Sequence, residues 1–148
     1  MAYISNKKLK HKRRYSYKIV RKNTNIPVDR LCKLRSKKLA PGNSGEDPYL
    51  VATIVSLAQS RVYAENLSSN VFTPRDVVVQ LITFAVNRRA FVVYRATVTS
   101  AFLKMFDQPH EAPMSRPELT IEYRFIPVWP VLRLQDRFKE VLGDMGIG

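Results

Sequence analysis

Residues 77–98 read Val77-Val78-Val79-Gln80-Leu81-Ile82-Thr83-Phe84-Ala85-Val86, then Asn87-Arg88-Arg89, then Ala90-Phe91-Val92-Val93-Tyr94-Arg95-Ala96-Thr97-Val98. The first run is rich in β-branched residues and predicts a strand over 76–86. Val77, Val79, Leu81 and Ala85 point one way along it, and Val78, Ile82, Phe84 and Val86 the other. A strand apolar on both faces is a central strand covered on both sides. Asn87-Arg88-Arg89 supplies the turn and 90–98 the returning strand, so the pair is expected to form a hairpin.

On the N-terminal side, Asp47-Pro48 reads as a helix start, with Asp as N-cap and Pro at the first helical position, where its missing N–H costs nothing. Leu50, Ile54, Leu57, Ala58 and Arg61 follow at helical spacing. On the C-terminal side, Thr99 or Ser100 caps a short helix carrying Phe102, Leu103 and Phe106, with Phe102 expected among the costliest core positions. A connector bearing Pro109, Pro113 and Pro117 leads to Leu119, Ile121, Tyr123 and Phe125, which alternate with Thr120, Glu122 and Arg124 in the pattern of a half-buried strand. A last helix is expected over 131–142, with Gly143 as its C-cap glycine.

The order α-β-β-α-β-α predicts an α+β fold, a small sheet of three or four strands with flanking helices, after a basic N-terminal arm. A fourth strand would come from residues 15–20 or from a partner chain. Pro41-Gly42-Asn43-Ser44-Gly45 marks the expected boundary, giving a basic, largely disordered arm at 1–43 and a compact domain at 44–148.

Charge is divided as unevenly as hydrophobicity. The chain of 148 residues carries 25 Lys plus Arg and 12 Asp plus Glu, for a net charge of +13. Residues 1–40 hold 14 of those cations against the single acid Asp29, whereas 41–148 hold 11 of each sign and are neutral. Like charges at that density favour an extended, solvated chain. Lys7, Lys8, Lys10, Lys12, Arg13, Arg14, Arg21, Lys22, Lys37 and Lys38 are the candidate contacts, either as a nuclear localisation signal read by an import receptor or as phosphate binders on nucleic acid. A mitochondrial address is the alternative, since residues 1–28 contain no acid, and a solubilising tail in the cytosol is the plainest reading. No run of about 18 apolar residues is present, so no membrane span is expected.

Catalysis finds little support. The two histidines, His11 and His110, have no Ser or Cys partner in any catalytic spacing. The single cysteine, Cys32, sits among Arg30, Lys33 and Arg35, surroundings that favour a thiolate, but it reads more simply as an apolar residue. The five glycines form no phosphate loop. Asp76 and Glu122-Tyr123-Arg124 loosely echo the paired carboxylates and lysine of a metal-dependent nuclease, but Arg124 replaces the lysine and cannot take part in proton transfer. No catalytic residue, metal ligand or cofactor is therefore expected, and the chain reads as non-enzymatic.

Gly45-Glu46-Asp47-Pro48-Tyr49-Leu50, Leu57-Ala58-Gln59, Tyr94-Arg95-Ala96 and Ala101-Phe102-Leu103 resemble a set of small uncharacterised proteins of filamentous fungi, which share a Gly-x-Asp-x-Tyr helix start, a Tyr-x-Ala strand and an Ala/Ser-x-Phe-Leu helix. The resemblance covers residues 45–138 and brings no activity with it. It implies a lineage-variable fungal gene of an accessory or subtelomeric cluster. Charge and resemblance together lead to the expectation of a nuclear interaction or regulatory protein with a protein partner. A nucleic-acid binder using the basic arm, with Arg88, Arg89 and Arg95 as second contacts and Tyr15 and Tyr17 as stacking groups, is the first alternative. A degenerate nuclease-like domain is the second.

Overall fold

The apolar alternation of the hairpin becomes the middle of a four-stranded mixed sheet. The computed structural model describes residues 1–16, 25–43, 45–63, 73 and 75–146, with the side chain of Arg14 outside that description. Among them, β1 (Ala2–Ile4), α1 (Asn6–Tyr15), α2 (Ile26–Lys38), α3 (Pro48–Tyr63), β2 (Val77–Ala85), β3 (Ala90–Val98), α4 (Ser100–Asp107), β4 (Leu119–Pro127) and α5 (Leu134–Asp144) follow in chain order. The sheet order is β1-β2-β3-β4, and the fold is α+β.

β2 and β3 pair antiparallel in the register Leu81↔Tyr94, joined by a 3-10 turn at Val86–Arg88 and by Arg89 in the left-handed region at φ 45°. β4 adds antiparallel on the far side, with Tyr94 opposite Tyr123 and Arg95 opposite Glu122. One face of the sheet carries Val77, Val79, Leu81, Val92, Tyr94, Ala96 and Val98 and is covered by Leu50, Ile54, Ala58 and Val62 of α3, by Leu103 of α4 and by Leu9 of α1. The other face presents Ile82, Phe91, Val93 and Ile126 to Leu134, Phe138, Val141 and Leu142 of α5. The strand that is apolar on both sides is thus central and covered twice, as its composition requires.

Local signals place the helix starts where chemistry puts them. Asp47 Oδ1 accepts from the Tyr49 amide at 3.1 Å ahead of α3, and Thr99 Oγ1 accepts from the Phe102 amide at 3.3 Å ahead of α4. Two details differ from expectation. In α4 Leu103, 1% exposed, is the residue fully buried in the core, while Phe102 is half-buried, packed against that core and lying on Phe106. α5 begins at Leu134 and runs through Gly143, and the glycine with positive φ is Gly146 at 63°. Neither helix period nor glycine count distinguishes the deeper of two adjacent apolar residues or the last turn of a helix.

The largest correction concerns residues 1–43. The expected extended arm contributes a strand and two helices among the described residues, and the fourth strand is Ala2–Ile4, parallel to β2 with Ala2 opposite Leu81. Tyr15 closes α1, and residues 17–20 of the strand expected at 15–20 lie outside the described residues. Lys and Arg are good helix formers, and each like-charge i,i+4 pair costs only about 0.2–0.5 kcal/mol. Anchoring one face of α1 to the sheet offsets that repulsion. A boundary at residue 43 therefore does not separate a tail from a domain, because β1 and Leu9 belong to the same core.

Candidate nucleic-acid interface

α1 is held by two residues one turn apart. Leu9 is 4% exposed within the main core and Arg13 is 5% exposed beneath it. The Arg13 guanidinium pairs with the Asp47 carboxylate and lies over the Tyr49 ring, 5.3 Å from its centroid. At the start of the helix, Asn6 Nδ2 donates to the Phe84 carbonyl at 2.9 Å. The segment 45–49 is locked from the other side as well. The Tyr94 hydroxyl donates to the Gly45 carbonyl at 2.9 Å, and a Cβ at Gly45 would meet the Tyr123 ring at 3.2 Å, so glycine permits that approach. Tyr123 donates in turn to Glu46 at 3.0 Å. Burial pushes the Tyr94 phenol far above its ordinary range, with the neighbouring Tyr123, Asp47 and Glu46 adding to the effect.

α2 packs on α1 and buries none of its residues. Asn25 caps it by accepting from the Val28 amide at 3.3 Å, Asp29 pairs with Lys33 at 2.8 Å, and Arg35, Lys37 and Lys38 complement the carbonyl end of its last turn.

This arrangement leaves two adjoining cavities on either side of the Lys10–Arg13 flank of α1. The first, about 700 Å³, lies between α1, the hairpin tip and residues 40–43, and takes Lys7, Lys10, Arg13 and Arg88. The second, about 670 Å³, lies between α1 and α2, and takes Lys10, Arg13, Arg30, Lys33 and Lys37 with no carboxylate in its lining. Asp47 is the acid lining the first cavity, and it is engaged by Arg13. Arg88 is fixed by stacking on Phe125, its guanidinium carbon 4.4 Å from the ring centroid, which leaves the edges of the guanidinium to donate.

The candidate contacts named from sequence therefore divide. Lys7, Lys10 and Lys37 face the cavities. Lys8, Lys12 and Lys38 are exposed outside them. Arg13 is a buried support and not a surface contact, because its charge is neutralised by Asp47. Arg21, Lys22 and the Arg14 side chain lie outside the described residues. Arg88 joins the site from 78 residues beyond Lys10, Arg89 is exposed at the hairpin turn, and Arg95 points to the opposite face of the sheet with its Nε buried and without a hydrogen-bond partner among the described residues. Arg30 and Lys33 complete the site without having been singled out, and their spacing to Lys37 (i, i+3, i+7) is the helical signal that places them together.

The two carboxylates of the nuclease alternative are not brought together. Asp76 is used to accept from the Ser100 amide at 2.8 Å, whereas Glu122 lies mid-strand and exposed, two strands across from β2 and opposite Arg95. His110 is exposed in the connector, and no group of three His, Cys, Asp or Glu among the described residues is arranged to hold a metal ion. No helix among the described residues is long and apolar enough to cross a membrane. The fold and site define an α+β protein with one cationic helix, α1, docked on a sheet face and a second, α2, packed on it. Comparison with protein-family models, curated proteins and solved structures finds no match to this chain.

Proposed function

We propose that this protein binds nucleic acid through its phosphates, along the track formed by the two cavities, and that it does so in the nucleus without enzymatic activity. The observation that carries the reading is the convergence of Lys7, Lys10, Arg30, Lys33, Lys37 and Arg88 on adjoining cavities in which the lining acid is already neutralised. Cationic side chains that meet phosphates displace the counterions condensed on the nucleic acid, and that release drives association. The exposed Lys7, Lys8, Lys10 and Lys12 also remain on the surface for an import receptor.

The test is a salt titration of binding to a DNA duplex and to a single strand. With about five phosphate contacts, log affinity should fall with log salt at a slope of about −4.5 on duplex and about −3.5 on single strand. Lys10→Glu with Arg88→Glu should weaken binding on every sequence alike. A flat salt dependence, or binding unchanged by the charge reversal, sinks the reading.

A second reading, docking of a protein partner, is supported by the corner between β4 and α5. Trp129, Val131 and Leu132 stand there 78%, 60% and 84% exposed, a cluster of apolar side chains with no role in either core. Photocrosslinkers at positions 129 and 132 that capture one common protein, while one at Lys139 does not, would support it. Indiscriminate capture from all three would remove it.

A further inference from the structure

We infer that the outer edge of β4 pairs with the same edge of a second copy of this chain, antiparallel about Tyr123, joining two sheets into one. The inference goes beyond the phosphate-binding reading and does not depend on it. The sheet ends on β1 at one side and on β4 at the other. β1 offers three residues, whereas β4 offers nine, and no described element pairs with its outer edge. A long open edge is a template for another strand.

The ladder inside the sheet fixes which groups look outward. The Thr99 amide donates to the Glu118 carbonyl at 3.1 Å and the Val128 amide to the Arg89 carbonyl at 3.0 Å, so the even-numbered residues of β4 bond toward β3. Leu119, Ile121, Tyr123 and Phe125 therefore aim their N–H and C=O groups away from the sheet. Pro127, next in that series, has no N–H, and Arg137 donates to its carbonyl, so the edge is closed there. The side chains of Leu119, Ile121, Tyr123 and Phe125 are half-buried at the rim of the main core, where a further strand would cover them.

The charges select both the occupant and the register. On the other face of β4, Glu122 and Arg124 flank Tyr123 and are exposed. With Tyr123 opposite its own copy, Glu122 of each chain lies directly opposite Arg124 of the other, and Ile121 lies opposite Phe125. Sliding by one hydrogen-bonded pair in either direction sets Glu122 opposite Glu122 or Arg124 opposite Arg124, which is unfavourable. Arg124 also meets Asp144 at 3.8 Å in an exposed pair, and its guanidinium has donors for both carboxylates.

The experiment is sedimentation velocity on the full chain over about 1–100 μM, in about 0.15 M salt so that distant charges are screened. The wild type should pass from monomer to dimer in that range, since one strand pair makes a small interface. Glu122→Arg and Arg124→Glu should each weaken the dimer at least about tenfold, because like charges then face each other. An equimolar mixture of the two variants should dimerise like the wild type, since each Arg again meets a Glu. The chain carrying both substitutions should do the same. Both recoveries require folded chains, which separates lost pairing from misfolding. A chain that stays monomeric at every concentration, a dimer indifferent to both single reversals, or a mixture that does not recover overturns the pairing.

Discussion

The hairpin β2–β3 and the helical layer α1–α2 are built on opposite terms. The hairpin buries nearly every second residue and pairs along nine positions, so its place is fixed by many contacts of one kind. The layer carries 11 of the chain's 25 Lys and Arg residues against the single acid Asp29, and α2 buries no residue at all. What α1 gives to the interior is a short set: Leu9, Arg13 and the parallel strand that leads into it. A strongly basic segment can thus be structured and still keep its cations in solvent, provided the anchors fall one turn apart and the buried charge meets a carboxylate. The same division separates what holds the fold from what faces solvent.

The sharpest measure of that division is a pair of truncations. Leu81 lies 1% exposed at the centre of the sheet, between Ala2 on one side and Tyr94 on the other. Leu81→Ala should lower stability by about 3–5 kcal/mol in denaturant unfolding, the range for a buried aliphatic that leaves a cavity. Removing the carboxylate at Asp47 should come next. Asp47→Ala strands the Arg13 guanidinium, which is 5% exposed, and also uncaps α3, for a loss of about 3 kcal/mol. Arg13→Met added to Asp47→Ala should restore part of that loss, because the penalty belongs to the uncompensated charge. A double variant as unstable as the sum of its single variants would show that the pair does not act as one unit.

Leu9→Ala probes the joint between the two regions. Leu9 is at the margin of the core and packs α1 to it, so about 2–3 kcal/mol is expected. The variant should also weaken nucleic-acid binding although no cation has changed. Lost stability with unchanged affinity would mean that the cavities do not depend on how α1 is docked.

The central strand, the hairpin, both helix caps at Asp47 and Thr99 and the alternation of β4 were all legible, because each is written within about ten residues. The short strand Ala2–Ile4 was not. Three residues carry no period, and their place is set by a partner some 79 positions away in β2. α1 was hidden for a different reason. Its charge density reads as repulsion, and the two residues that outweigh it, Leu9 and Arg13, gain their meaning from Asp47 and the sheet face, neither of which is local. The site followed the same rule. Lys7 and Lys10 were visible as a cluster, but their meeting with Arg88 depends on the hairpin tip being folded under α1.

Tyr94 gives a smaller effect that pH can read. Its hydroxyl is buried and donates to Gly45, and burial raises its pKa from an ordinary value of 10.0. Above that pH the unfolded phenol loses its proton while the folded one keeps it, so the unfolded state binds fewer protons and stability falls as pH rises. Stability from this group is complete below pH 10 and declines above it. Tyr94→Phe should cost about 1–2 kcal/mol at neutral pH, by leaving the Gly45 carbonyl without its partner, and should flatten the alkaline decline. An unchanged decline would assign it to other groups.

Glu122 marks the lower end of the scale and the surface most remote in character from the hairpin interior. It stands exposed on β4, opposite Arg95, on the polar face that α5 leaves open around it. An opposite-charge pair across two strands contributes roughly 0.2–1 kcal/mol, and solvent screening puts an exposed member at the low end of that span. Glu122→Ala should therefore change stability by less than about 0.5 kcal/mol, measured against Leu81→Ala under the same denaturant. A loss comparable to that of Leu81 would mean that Glu122 satisfies the buried Arg95 Nε, which has no partner among the described residues. The face of β4 that reads as solvated would then be part of a second interior, and the contrast between a contact-rich hairpin and a charge-bearing surface would have to be redrawn to include it.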